Sequence, residues 1–117
     1  MQDNDQSIRR LQKKIEDEER QLQDKALNAL LSTYEGRRLF WWMLEEAGIG
    51  GQPFTPDPHT TAFRCGELNV GNKILSRLFE VYPEAYVTMQ KENEDAARAR
   101  EQRIARKSGD VDGYDES

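Results

Sequence analysis

The chain has one cysteine, Cys65, and one histidine, His59. A lone thiol closes no intrachain disulfide, and one thiol with one imidazole falls short of a structural zinc site. No run approaches the roughly 18 apolar residues of a membrane-spanning helix, and the opening MQDNDQSIRR lacks the apolar stretch of a secretory signal. The expectation is a soluble chain without metal or cofactor, made in a cytoplasm and with no membrane span. Positive charge is in deficit as well. A formal charge of -5 argues against a dedicated DNA-coating protein, whose affinity comes mostly from neutralising phosphates. Catalytic groupings are equally scarce. His59 has no serine or cysteine partner at a suggestive spacing and reads as a surface or helix-start residue, while Cys65 reads as a small packing residue. Glu45 and Glu46 are solvated charges at a helix end, and GIGG is a turn, since no lysine follows it and no strand precedes it. A non-enzymatic protein is expected.

What the chain does contain is charge and helical periodicity. Its 117 residues are 36% hydrophobic and 33% charged, with a mean hydropathy of -0.94, which allows one domain and leaves part of the length outside any core. The formal charge is -1 over residues 1–31, -2 over 32–93, +2 over 94–107 and -4 over 108–117. These segments also divide the pattern: an N-terminal amphipathic helix or arm (1–31), a helical core (32–93), a charged helical extension (94–107) and an acidic tail expected to be disordered (108–117).

In the first segment Ile8, Leu11, Ile15 and Leu22 recur at the spacing of one helix face. Glu18 and Lys25 interrupt the heptad, so a long self-sufficient zipper is disfavoured. Two readings stay open: the helix docks on the chain's own core or on another protein, using the stretch Ala26–Leu31, or it self-associates. Ser32 with Glu35 has the form of a capping box, which predicts a helix through YEGRRLFWWMLEEA ending at Gly48. Leu39, Met43, Ala47, Phe40 and Leu44 should form its buried face. Trp42 points away, in company with Arg38, Glu35 and Glu46, and is a candidate protein-interface residue together with Arg38, Glu46, Ile8, Leu11 and Ile15.

The proline- and glycine-rich stretch after Gly48 predicts an ordered loop anchored by Phe54, with Asp57 and Pro58 starting the next helix. That helix, to about Tyr82, carries Phe63, Val70, Ile74, Leu78 and Val81 in one row and Leu68, Leu75, Phe79 and Tyr82 in another. So wide a stripe places it at the centre of the fold, and Gly66 and Gly71 suggest close crossings. Pro83 restarts the chain as a fourth helix, with Tyr86 and Met89 toward the core. From Asn93 to Lys107 it loses its apolar face and should project. Arg98, Arg100, Arg103, Arg106 and Lys107 are possible nucleic-acid contacts, but acidic residues interleave with them in the sequence, which favours a solvated face. The fold class is all-α: three core helices, an N-terminal helix and a projecting C-terminal helix.

LLSTYEGRRLFWWMLEEAGI, then PFTPDPHTTAFRCGELNVGNKILSRLF and YPEAYVTMQKEN, together resemble a family of small tailed-phage proteins named after the nineteenth gene product of a Bordetella podophage. The likeness covers about residues 30–93. It departs at Gly50 and Cys65, where members commonly carry a bulky and a polar or acidic residue. The resemblance implies a virion-associated or morphogenetic protein of tailed phages with no established enzymatic activity; the expectation built on it is a virion assembly component in several copies, binding portal, tail or internal head proteins and made in the host bacterial cytoplasm. The alternative is a nucleic-acid-binding packaging or morphogenesis factor.

Overall fold

The computed structural model describes residues 2–115. Four helices follow one another: α1 Gln2–Leu31, α2 Tyr34–Glu46, α3 Pro58–Val81 and α4 Pro83–Asp115. Among the described residues there is no strand, and none of the helices is long and apolar enough to cross a membrane.

Most helix ends follow from their residues. Gly48 takes φ 85°, open to glycine because it lacks a Cβ, and its N–H donates to the Glu45 carbonyl at 2.9 Å while the Ile49 N–H donates to Leu44 at 3.1 Å. This pair of bonds is the Schellman closure of a helix, and Ile49 completes it by packing against the core. Asp57 caps α3: its carboxylate accepts the His59 and Thr60 N–H groups and the Thr60 hydroxyl at 2.6 Å. The hydroxyl bond chiefly, with the two N–H bonds, holds that carboxyl below its ordinary pKa.

The start of α2 differs from the expected capping box. Thr33 is the cap, its hydroxyl accepting the Gly36 N–H at 3.1 Å, and the Ser32 hydroxyl donates backward to the Ala29 carbonyl at 2.7 Å. The reason lies in the end of α1. No glycine follows Leu31 to close it, so side chains from the corner take up the orphan carbonyls. Ser32 serves Ala29, Thr33 reaches Leu30 at 3.4 Å, and the Arg37 guanidinium donates to Leu31 at 3.1 Å.

Among the described residues, six side chains form the buried core: Leu31, Phe40, Leu44, Leu78, Ala85 and Met89. Leu27, Leu30, Trp41, Ile49, Leu75, Tyr82 and Tyr86 pack around them. On α2 the buried stripe is Gly36, Phe40 and Leu44, turned by about 30° from the expected face toward Trp41. Leu39 and Met43, expected inside, are exposed at 50% and 39%, because the neighbours of α2 all lie on the Trp41 side. Trp41 packs against Tyr86 with ring centroids 5.9 Å apart and the planes tilted by 40°, and donates its indole N–H to Glu45 at 2.7 Å.

α3 touches all three other helices, yet one side of it is left uncovered along its length. Leu78 is fully buried, whereas Phe63, Val70, Ile74 and Phe79 are exposed, as is Cys65. The wide stripe is real, but among the described residues no helix covers the side that carries Phe63, Val70 and Ile74. Of the two glycines expected at crossings, Gly71 meets one: a Cβ there would fall 2.7 Å from the Ala47 Cβ and 3.2 Å from Ile49. Gly66 has open space around it. Phe54 does not anchor its loop, being 75% exposed. The Thr55 N–H and hydroxyl bond to the Thr61 hydroxyl instead, each at 2.9 Å, which leaves the ring no structural task. Helix α4 continues to Asp115, into the segment expected to be disordered, since extending an existing helix costs far less than nucleating one; residues 116 and 117 lie outside the described residues.

Every described side chain from residue 3 to 23 and from 97 to 109 is exposed. The molecule measures 89 × 39 × 18 Å with a radius of gyration of 22.2 Å, against about 13 Å for a compact chain of this length. Its accessible surface is 9654 Å², where a compact 13.6 kDa protein shows about 6,600 Å².

Candidate interaction surface

The inner face of α1 is fastened to α3 by ions. Arg77 bonds to Asp24, to Gln23 at 3.3 Å and to Glu80 at 2.7 Å, and Glu80 also accepts from Arg20 at 2.9 Å. The bond from Arg77, reinforced by Arg20, holds the Glu80 carboxyl below its ordinary pKa. Leu27, Leu30 and Leu31 continue this face into the core. Ile8, Leu11, Ile15 and Leu22 lie on another face, about 140° away around the helix, and all four are exposed. Three of the sequence-derived interface residues therefore sit on a stripe that is no extension of the internal packing.

On the opposite part of the molecule, Trp42 is 55% exposed and shares a shallow groove with Tyr34, Glu35, Arg38, Leu39, Trp41, Glu45 and Asn93. Tyr34 and Arg38 also line the adjoining depression, whose other wall is Ala96, Ala99, Arg100, Arg103, Ile104 and Lys107. One continuous groove thus runs from Trp42 on α2 along the C-terminal half of α4. It joins residues that the sequence assigned to two separate sites: Trp42 and Arg38 from the protein interface, and Arg100, Arg103 and Lys107 from the possible nucleic-acid contact. Glu46 is not part of it. That side chain lies at another depression with Pro53, Arg64 and Glu67. Arg98 pairs with Asp95, and Arg106 turns back to the Gln102 carbonyl at 3.5 Å.

The acidic and basic residues that alternate in sequence along α4 separate on the helix. At about 100° per residue, Ala96, Ala99, Arg100, Arg103, Ile104 and Lys107 continue the face that carries Ala85 and Met89 into the core, while Glu94, Asp95 and Glu101 lie on the other side. A helical projection of residues 85–107 carries this signal; the linear order conceals it.

The residue that sequence reading passed over is Arg37. Its Nε donates to Glu92 at 2.8 Å and its Nη1 to the Leu31 carbonyl, tying the end of α1, the start of α2 and the middle of α4 at one point. The two charged side chains are only 18% and 21% exposed. Arg37→Met is expected to lower stability by about 2 kcal/mol, because it leaves a half-buried carboxylate and a helix-end carbonyl without partners. Arg38→Met should stay within about 0.5 kcal/mol of wild type, and urea denaturation of the two variants measures the contrast. Neighbouring arginines in the EGRR segment thus divide their work, one holding the corner and the other facing the groove.

Among the described residues no group of three or more His, Cys, Asp and Glu side chains gathers to hold a metal ion. No curated protein and no solved structure matches the chain. A family model described as Bbp19-like phage protein matches residues 27–91, a span that holds all six core side chains and the corner at Arg37 but neither the Ile8–Ile15 stripe nor the Arg100–Lys107 wall. This span exceeds half of the 117 residues, and the chain belongs to the Bbp19-like phage protein family.

Proposed function

We propose that the protein is a non-enzymatic, virion-associated structural or assembly component of a tailed phage, present in several copies and binding other virion proteins near the portal and tail or inside the head. The observation that carries this reading is the excess of surface. The chain exposes about 3,000 Å² more than a compact protein of its mass, and a standard interface takes about 800 Å² from each partner. The excess is not uniformly polar. It includes the Ile8, Leu11 and Ile15 stripe, the Trp42 and Leu39 side of α2 and the Phe63, Val70 and Ile74 side of α3, apolar patches of the kind that interaction sites supply. Two free helical halves, residues 3–19 of α1 and 97–109 of α4, extend the reach of a small body toward its neighbours.

Mass spectrometry of particles purified through a density gradient tests the placement: several copies per virion are expected, and absence from intact particles would reject it. Within the same system, Trp42→Ala should reduce incorporation into particles severalfold while changing the stability of the isolated chain by no more than about 0.5 kcal/mol. A stability loss of about 3 kcal/mol, typical of a tryptophan removed from a core, would make the ring internal packing and remove it from the interface.

A further inference from the structure

The free half of α1 and the groove between α2 and α4 are each unpartnered, and they are complementary to each other. The α1 half presents Ile8, Leu11 and Ile15 as a stripe with Glu18 and Glu19 along its two edges, while Arg9, Arg10 and Lys13 fall on the far side of the helix. The groove presents Tyr34, Ala96, Ala99 and Ile104 beside four cations, Arg38, Arg100, Arg103 and Lys107. Among the described residues, none of these six facing charged side chains, Glu18 and Glu19 with the four cations, forms an ion pair. We propose that the N-terminal half of α1 in one copy docks in the α2–α4 groove of a second copy, head to tail.

Geometry prevents the chain from making this contact within itself. Arg20 meets Glu80, beside the start of α4, while Arg37 joins the end of α1 to Glu92 further along α4. The two helices therefore run in the same direction past the body, so the free half of α1 leaves one end of the molecule and the free half of α4 leaves the other. The 89 Å length of the molecule reflects this arrangement. The two halves match in length, about 25 Å for residues 3–19 and about 20 Å for residues 97–109 at 1.5 Å per residue. Alanines at 96 and 99 keep the floor of the groove low enough for a helix to approach.

The groove suits α1 better than a second α1 does. Glu18 flanks the stripe of Ile8, Leu11 and Ile15, where a paired α1 seam would have to enclose it; in the groove it faces guanidinium groups. A contact between unlike surfaces does not close on itself in a dimer. It repeats from copy to copy and gives a ring or an open chain, which deepens the assembly reading and rests on its premise of several copies.

The test uses the purified full-length chain, so that its failure is separable from failure to enter the virion. Sedimentation velocity over rising concentration is expected to show self-association that weakens with salt. Leu11→Gln/Ile15→Gln, which keeps good helix formers, and Arg100→Glu/Arg103→Glu should each weaken association at least about tenfold, with circular dichroism showing helicity retained. Mixed one to one, the two variants should form a heterodimer and stop there, since one keeps only the groove and the other only the arm. A wild type that stays monomeric throughout would overturn the proposal, as would a mixture that stays monomeric. So would an arginine variant that associates like wild type, whether because α1 pairs with α1 or because its sole change is lost binding to a 30-base-pair DNA duplex.

Discussion

Gly36→Ala is expected to destabilise the protein by at least about 3 kcal/mol, although alanine is the best helix former and the site lies in the first turn of a helix. Two residues, Ser32 and Thr33, separate α1 from α2, so the first turn of α2 presses against the last carbonyls of α1. A Cβ at Gly36 would collide with the Leu30 carbonyl oxygen and fall 2.7 Å from its carbon and 2.9 Å from the Thr33 hydroxyl. None of these is the yielding end of a long side chain. To admit the methyl group the corner must open, and opening it draws Arg37 away from Glu92 and the Leu31 carbonyl. Thermal unfolding with the conservative control Gly66→Ala separates the two effects. Gly66 has open space about it and an interior helix position, so the control should be neutral or stabilising by up to about 1 kcal/mol.

Leu78→Ala is expected to cost about 3 to 5 kcal/mol and to lower the melting temperature by about 15 °C or more. Leu78 is fully buried at the point where α3 meets its neighbours, and its carbonyl accepts the Tyr82 N–H that ends the helix. In a larger protein the loss is shared among many layers. Here six side chains make the buried core, and the total stability of a chain this long is on the order of 6 to 18 kcal/mol. Leu78→Met, of nearly equal volume, should cost less than about 1.5 kcal/mol. Equal losses from alanine and methionine would mean that the core is too loose for volume to matter.

The punctuation of the fold is written in single residues and was readable: Gly48 ends α2, Asp57 and Pro58 start α3, and Pro83 starts α4. Each acts locally, the glycine and the prolines through their own backbone and Asp57 through its carboxylate, without help from distant parts of the chain. What sequence could not supply is which apolar side chains receive cover. Phe63, Val70 and Ile74 have the spacing of a buried stripe, and Leu39 and Met43 that of a core face, but the chain brings no helix to them. Periodicity reports which residues need a neighbour, not whether that neighbour belongs to the same chain. The corner at Gly36 escaped for a related reason. Ser32, Thr33 and Arg37 act on carbonyls of the preceding helix, a relation that a capping pattern read forward along the chain does not contain. Arg38 and Arg100 belong to different segments of the linear sequence, and the groove joins them only once α4 has packed against α2.

If the assembly account is right, the surfaces left open in the isolated chain are closed in the phage particle. Hydroxyl-radical footprinting of Trp42, Leu11, Ile15 and Phe63, on the purified protein and on intact virions, measures this directly. Strong labelling of all four in the free chain with marked protection of Trp42, Leu11 and Ile15 in the particle is the predicted result. Labelling of those three that is as strong in the virion as in free solution would contradict it.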